Sequence, residues 1–204
     1  MRTRYALNAI VLFAVTTVTV VGMGTSQTGV NARTQAALFW IVVFFSAMSA
    51  LAQVFVKEEE SGTALALKLS ARSDAVYFGK LLFNLLLLSA LQLLLVPMFI
   101  LLVGLQVAQW QIFVPVIILG TIGLAGATTI VAAIVAQASV RGALFAVLSF
   151  PLLLPLLIAA IGGTQAALDP AGAASAASEL KLLSAYGLAM ITGSWLLFDF
   201  VWWA

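Results

Sequence analysis

The chain is most constrained by its long stretches without a charged side chain. No Asp, Glu, Lys or Arg lies between Arg33 and Lys57, or between Lys80 and Arg141. A helix needs roughly 20 predominantly apolar residues to cross the hydrocarbon core of a bilayer. The first interval is long enough for one crossing and the second for two, so these stretches predict membrane-spanning helices.

The composition of the whole chain agrees with this interpretation and excludes several functions. Of the 204 residues, 64% are hydrophobic and 8% are charged, whereas soluble domains carry about 25% charged residues. The absence of Cys and His excludes disulfides, thiol catalysis, imidazole acid–base chemistry and Cys/His metal sites. A net charge of +2 is too small to indicate a nucleic-acid partner. We therefore expect the chain to lie in the lipid bilayer and to carry no catalytic residue.

Six apolar runs are predicted as transmembrane helices, because an unpaired backbone group in lipid is strongly unfavourable. The runs lie at about 5–23, 36–56, 81–104, 110–136, 142–162 and 182–203. The first is longer than the roughly 7–15 apolar residues of a signal peptide, so we expect it to be retained. Residues 1–204 are thus predicted to form one all-α polytopic membrane domain.

The distribution of Lys and Arg predicts the orientation of these spans. If the N-terminus is cytoplasmic, six spans place the C-terminus on the same side. Seven cations then lie in cytoplasmic segments, namely Arg2, Arg4, Lys57, Lys68, Arg72, Lys80 and Arg141. Only Arg33 and Lys181 lie outside. Cytoplasmic loops are enriched in Lys and Arg, so the protein is predicted to have both termini inside.

The segment 57–80 is the one substantial cytoplasmic feature of this topology. It carries eight of the sixteen charged residues in the chain. Leu65 and Leu69 are four residues apart and would be neighbours on a helix. Ser73 and Asp74 resemble an N-cap that leads into the third span. Two interpretations stay open: a solvated connecting loop, or an element that docks onto a cytoplasmic partner.

Small residues and prolines within the spans indicate packing or bending. Gly120, Gly123 and Gly126 recur every three residues in the fourth span; small residues allow close helix approach, and a permeation path is the alternative. Pro151 and Pro155 are expected to kink or locally unwind the fifth span, which could serve gating.

Four further residues, two of them prolines, are expected to have structural roles. Asp169 and Pro170 form a good helix start, so we expect a short interfacial helix that bends into the sixth span. Asp199 is taken as the only acidic residue within a predicted span and is expected to be a solvated anchor near the inner interface. Pro97 is expected to bend the third span near its outer end.

Residues distributed along nearly the whole chain resemble one known family. In the cytoplasmic segment and the start of the third span they are Phe55, Glu58 to Glu60, Gly62, Thr63, Leu67, Tyr77 to Lys80, and Asn84. Further along they are the LGTIG run at 119–123, Arg141, Gly142 and the PLLLP run at 151–155. This ordered set resembles the cytochrome c-type biogenesis heme exporter B family, the membrane permease subunits of an ABC transporter.

The resemblance implies an ABC-2-like permease that works with a separate ATPase subunit. The segment 57–80 would contain the coupling helix, with contacts expected from Glu58, Glu59, Glu60, Gly62, Thr63, Leu65, Leu69 and Arg72. ATP would bind the partner, because the chain itself has no G-x-x-x-x-G-K-[ST] phosphate loop. Heme would be a substrate of the complex, which includes a heme-handling membrane subunit and a heme chaperone. We expect no cofactor on this chain.

The predicted function is that of a permease subunit in a heme-export type ABC transporter of the bacterial inner membrane. It would act in cytochrome c maturation by coupling the ATPase to heme handling or release at the outer face. Two alternatives remain: an ABC-2-type permease for another substrate, such as a lipid or drug, and a membrane scaffold without a transport role.

Overall fold

The computed structural model describes the backbone of residues 2–25, 29–51, 72–136 and 141–203, and the side chains of 11–25, 29–49, 72–135 and 147–203. These residues form six long helices and no strand. The helices are α1 (Arg2–Thr25), α2 (Ala32–Leu51), α3 (Ser73–Met98, continued by a π-helical turn at Phe99–Val103), α4 (Trp110–Ala136), α5 (Arg141–Leu168) and α6 (Ala173–Trp203).

The helices have the length and apolarity that a membrane requires. From α2 to α6, five helices are long and apolar enough to cross a bilayer, and Val11–Thr25 of α1 adds a shorter apolar helix. The prediction of an all-α polytopic membrane protein is confirmed.

Several helices extend beyond the predicted spans. The helix α3 begins at Ser73 rather than at 81, and α6 begins at Ala173 rather than at 182. The helix α5 continues to Leu168 instead of ending at 162. The prediction counted only the apolar residues that fit within the hydrocarbon core, whereas these helices continue into polar interfaces. Residues 52–56, which were predicted to end the second span, lie outside the described residues.

The short interfacial helix expected to start at Asp169 and Pro170 is not separate: these two residues lie in a turn, and the helix that starts at Ala173 is continuous with the sixth span. The N–H of Ala171 donates to Oδ1 of Asp169 at 2.9 Å, and the N–H of Gly172 donates to the Asp169 carbonyl at 3.0 Å. Asp169 therefore stabilises a tight turn, after which one helix runs for 31 residues. At 1.5 Å per residue it is about 46 Å long, so it projects beyond a hydrocarbon core of about 30 Å.

The C-terminal end of α3 contains a proline, a π-helical turn and a left-handed glycine. Pro97 has no N–H to donate within the helix, and the π-helical turn begins two residues later, at Phe99. Gly104 has φ 73° and ends the helix, and the N–H groups of Gly104 and Leu105 both donate to the Phe99 carbonyl. The irregular geometry expected near Pro97 is thus a widened turn.

The helix α4 lies at the centre of the bundle and packs most extensively against α5 and α6. An aromatic cluster fills the space between α2, α3 and α4: the ring centroids of Phe39 and Phe99 are 5.1 Å apart, and those of Phe39 and Trp40 are 5.6 Å apart. Trp40 is fully buried, and its Nε1–H donates to the Thr164 hydroxyl at 2.8 Å. This bond joins α2 to α5 inside the core.

Candidate functional site

The sequence placed the candidate coupling residues in the segment 57–80, of which only the end is described. Arg72 is the first described residue of this segment. The other coupling candidates lie outside the described residues, and their roles stay predictions; they are Glu58, Glu59, Glu60, Gly62, Thr63, Leu65 and Leu69. The site that the structure describes therefore begins where this segment becomes α3.

The first turn of α3 is not capped in the predicted way. Arg72 occupies the N-cap position in an extended conformation, φ −71° and ψ 143°, without a side-chain cap hydrogen bond. Ser73 and Asp74, which were predicted to cap the helix, are instead its first two residues. Their side chains turn toward α6, so the local capping interpretation is wrong and a contact between helices replaces it.

Two hydrogen bonds connect α3 to α6, one donated from each helix. The Ser73 hydroxyl donates to the Asp199 carboxylate, and Nε1–H of Trp195 donates to Oδ1 of Asp74 at 2.8 Å. Arg72 lies 3.7 Å from the other oxygen of Asp74. We call these five residues, Arg72, Ser73, Asp74, Trp195 and Asp199, the α3–α6 junction. Asp199, which was expected to be a solvated anchor, is exposed and accepts a hydrogen bond from Ser73.

Buried aromatic contacts support the junction from within the bundle. Tyr77 is fully buried, and its hydroxyl donates to the Ile191 carbonyl at 3.1 Å. The rings of the buried Tyr77 and Phe198 have centroids 5.3 Å apart, and those of the exposed Phe78 and Trp195 are 6.3 Å apart. Because the contacts of Tyr77 are buried, they hold the start of α3 and the end of α6 together more firmly than exposed hydrogen bonds alone could.

The glycines of α4 connect this same part of α6 to the bundle centre. A Cβ at Gly126 would lie 3.2 Å from Cγ1 of Ile191, and one at Gly123 would lie 3.1 Å from Cδ1 of Tyr186. Both of these contacts are on α6, and a Cβ at Gly123 would also lie 2.6 Å from Cδ1 of Leu156 on α5. The Ser194 hydroxyl is 3.5 Å from the Gly126 carbonyl. Gly120 instead faces the Trp40 ring on α2. All three positions lie at close helix contacts.

The two prolines predicted to kink or gate α5 lie on its outer surface. Pro151 and Pro155 are both exposed, and the helix remains α-helical through both positions. Neither residue lies at the α3–α6 junction. The nearest polar link is Tyr186 of α6, whose hydroxyl donates to the Leu152 carbonyl at 2.8 Å. A gating role for these prolines remains a prediction.

Sequence reasoning missed an acidic residue within a membrane-spanning helix. Glu179 lies inside α6, so Asp199 is not the only acid in a span. A Cβ built on Gly162 would lie 2.9 Å from the Glu179 carboxyl carbon, and one on Gly163 would be 3.5 Å from its Cβ. The small residues of α5 thus accommodate this side chain. Extending the predicted sixth helix upstream of residue 182 would have placed Glu179 within it.

The junction offers reversible hydrogen bonds rather than bond-breaking chemistry. Among the described residues, no group of three or more acidic, His or Cys side chains could hold a metal ion. The hydroxyls of Tyr77 and Tyr186, the two tyrosines whose side chains the structure describes, both donate to backbone carbonyls.

The fold is that of an all-α, multi-pass membrane protein. Comparison with known families identifies the particular one: the family described as CcmB protein matches residues 1–200, and the chain belongs to that family. Its members are permease subunits of heme-export type ABC transporters that act in cytochrome c maturation. The predicted resemblance is therefore confirmed. No curated protein and no solved structure matches the chain.

Proposed function

We propose that the chain converts the movement of a separate ABC ATPase into movement of α6, through the segment 57–80 and the α3–α6 junction. In this function ATP binds the partner, and heme is the substrate of the complex. A heme-handling membrane subunit and a heme chaperone receive the effect at the outer face. The protein lies in the bacterial inner membrane with both termini inside.

The observation that carries this proposal is the position of the junction in the chain. The candidate coupling residues outside the described part of the chain end at Leu69. The first described residues of the segment 57–80 follow shortly after; they are Arg72, Ser73 and Asp74. Two of these three side chains make hydrogen bonds to α6. A force applied to the segment would therefore reach α6 as well as α3, because both helices are linked where the segment ends.

The packing of α6 supports a route from the junction into the bundle. Ile191 lies one turn from Trp195 and contacts Gly126 of α4, while Tyr186 contacts Gly123. Close glycine contacts transmit displacement because the helix backbones have little room to move independently. Energetic coupling between distant sites needs such a contiguous set of packed groups.

The proposed orientation is supported by the charges near the junction. The residues Arg72 and Lys80 lie at this end of α3, and the last turns of α6 lie beside them. Positive residues favour the cytoplasmic side. The exposed Trp195 and Trp203 would then lie at the inner membrane interface, where Trp is enriched.

The test of this proposal distinguishes the transmission of movement from α3 to α6 from the binding of the ATPase. The double variant Ser73→Ala with Trp195→Phe removes both hydrogen bonds of the junction and leaves the predicted ATPase contacts unchanged. We expect cytochrome c maturation to fall several-fold, while the ATPase still copurifies with the permease. Full maturation in this variant would contradict the proposed route.

A matched control changes the same residue types at two positions of α6 outside the junction. The double variant Ser184→Ala with Trp203→Phe changes a hydroxyl that bonds the Leu180 carbonyl of its own helix and an exposed Trp at the helix end. We expect normal maturation in the control. Comparable expression of both variants in the membrane shows that the difference arises at the junction and not from insertion.

A further inference from the structure

A glutamine joins two connections at the end of the bundle opposite the α3–α6 junction. Gln109 directly precedes α4, and a turn at 169–172 connects α5 to α6. The side-chain Nε2 of Gln109 donates to the carbonyls of Asp169 at 2.6 Å and of Pro170 at 3.1 Å. Its backbone N–H donates to the Ala167 carbonyl at 2.9 Å. All three hydrogen bonds run from the start of α4 to the end of α5 and the turn that follows it.

Gln109 pairs backbone groups that the helices cannot pair themselves. The last four carbonyls of an α-helix have no partner within that helix, and Ala167 is the last residue but one of α5. Gln109 also lies at the N-cap of α4, where its carbonyl accepts hydrogen bonds from the N–H groups of Ile112 and Phe113. Gln is not one of the favoured N-cap residues. Its side chain points away from α4, so it serves the contact between elements and not the capping of its own helix.

The turn that Gln109 contacts is itself compact. Asp169 accepts two hydrogen bonds from backbone N–H groups of the turn, one on its carboxylate and one on its carbonyl. A Cβ at Gly172 would overlap the carbonyl of Ala166, so the turn lies directly against the backbone of α5. The helix α6 begins at the next residue, Ala173. A displacement of this end of α6 therefore moves the turn, and the turn moves Gln109.

A cavity lies beside this contact and keeps the starts of α4 and α6 apart. It has a volume of about 560 Å³ and is lined by residues 108–112 on one side and by Ala173, Ala176, Ala177 and Leu180 on the other. Gln109 lies at the edge of the cavity and reaches the turn from there. Because open space separates the two helix starts here, the hydrogen bonds of Gln109 are needed to make them move together.

We propose that Gln109 is a positioning residue that transmits movement of α6 to the start of α4 and to the connection 104–109. The inference rests on the proposed function, in which the α3–α6 junction moves α6 from its other end. Asp199 lies 26 residues after Ala173, or about 39 Å along the helix, so the junction and Gln109 act on opposite ends of one rod. In the proposed orientation Gln109 lies at the outer face, where the heme-handling subunit receives the effect.

The first experiment removes the hydrogen-bond donor and keeps the size of the side chain. Gln109→Met removes both side-chain hydrogen bonds, and Gln111→Met makes the same change at an exposed glutamine on the first turn of α4. We expect cytochrome c maturation to fall several-fold in Gln109→Met, while the ATPase still copurifies, and to stay normal in Gln111→Met. Full maturation in Gln109→Met, or an equal loss in both variants, would overturn the inference.

The second experiment distinguishes hydrogen-bond donation from packing. Gln109→Arg has a different shape but offers several N–H donors to the same two carbonyls, beside the exposed Asp169. We expect this variant to retain most of the maturation that Gln109→Met loses. If Gln109→Arg is as defective as Gln109→Met, the bonds are not what matters at this position, and the inference is wrong.

The third experiment measures the positioning itself. Because the chain has no Cys, nitroxide labels at Gln106→Cys and Ala171→Cys, two exposed positions, report only the distance between the two connections. Pulsed electron paramagnetic resonance should give a narrow distance distribution with Gln109 and with Gln109→Arg, and a clearly broader one with Gln109→Met. A residue that contributes only to packing would not regain the narrow distribution in the Arg variant. Equal widths in all three would overturn the inference.

The failure of this inference can be told from the failure of the proposed function. If the junction variant Ser73→Ala with Trp195→Phe impairs maturation and Gln109→Met does not, the proposed function stands and the role of Gln109 is wrong. If Gln109→Met impairs maturation and broadens the distance distribution while the junction variant is normal, Gln109 keeps its positioning role and the route from the junction is wrong.

Discussion

The contact between Gly120 and Trp40 leads to the sharpest prediction. Replacing Gly120 by Ala builds a methyl group into the six-membered ring of Trp40, with the nearest ring atoms overlapping and the next at 3.0 and 3.1 Å. The ring has little freedom to move. It is fully buried, it packs edge-on against Phe39, and its Nε1–H is bonded to Thr164 at 2.8 Å. We therefore expect Gly120→Ala to be destabilising.

The magnitude follows from two contributions. Overpacking a well-filled core costs typically about 1–3 kcal/mol. Displacing the indole also weakens the bond to Thr164, and hydrogen bonds between membrane helices contribute about 0.6 kcal/mol on average. The sum is a loss of about 2–4 kcal/mol in the free energy of unfolding, which corresponds to roughly 4–16 °C in Tm for a chain of this size.

The assay is thermal unfolding of the purified protein in detergent, with Gly193→Ala as the matched control. A Cβ at Gly193 on α6 meets no atom within 4 Å, so Ala there should be neutral or stabilising by up to about 1 kcal/mol. A second test combines Gly120→Ala with Trp40→Phe. The smaller ring should relieve the overlap, so the double variant should be more stable than the two separate losses predict.

Two results would refute this reasoning. If Gly120→Ala unfolds at the wild-type temperature, the indole moves without cost and the α2–α4 contact is looser than described. If the losses of Gly120→Ala and Trp40→Phe simply add, the two residues do not share the proposed overlap. Either result would also weaken the argument that close glycine contacts transmit displacement in this bundle.

Four further predictions test other parts of the molecule. Glu60→Lys with Leu65→Asp should abolish ATPase copurification from solubilised membranes while insertion survives; full binding and maturation would show that the segment is only a connector. A C-terminal fusion should be active with a cytoplasmic reporter and silent with a periplasmic one, and the reverse would refute the six-span topology. Hemin titration of the purified chain should give no sharp low-spin Soret shift, whereas a stoichiometric shift abolished by one Met or Tyr substitution would refute it. Tyr186→Phe removes the bond to Leu152 and should lower the free energy of unfolding by about 0.6 kcal/mol; a loss above about 2 kcal/mol would mean that the hydroxyl has a larger role.

The number and type of helices could be predicted because they depend on local composition. An apolar run long enough to cross lipid must form a helix or leave its backbone groups unpaired, and this holds whatever the neighbouring helices are. The apolar spans alone did not give the helix ends, because apolarity no longer indicates helix outside the hydrocarbon core. The polar patterns at Ser73–Asp74 and Asp169–Pro170 did place helix starts near the observed ones at Ser73 and Ala173.

The junction could not be predicted because its partners are distant in sequence. Trp195 is 121 residues from Asp74, and Asp199 is 126 residues from Ser73. A serine and an aspartate before an apolar run are typical of a helix cap, and the local pattern favours that interpretation. The same limit applies to Gln109, since only the packing of α4 against the turn between α5 and α6 reveals what its side chain contacts.

The length and contacts of α6 explain how a weak junction could serve the proposed function. The helix meets α3 near Asp199, α4 at Gly126 and α5 at Gly162, so one rod of about 46 Å contacts the bundle at both ends and at its middle. Exposed ion pairs contribute about 0–1 kcal/mol, and hydrogen bonds to charged groups contribute about 1.5–3 kcal/mol before solvent reduces them. Coupling between sites typically amounts to about 1–3 kcal/mol. Under the proposed function, a junction of this strength could bias the position of α6 and still be broken and reformed during transport. A permanently bonded junction would hold α6 in one position, so we expect variants that strengthen it to impair maturation, as we expect of variants that remove it.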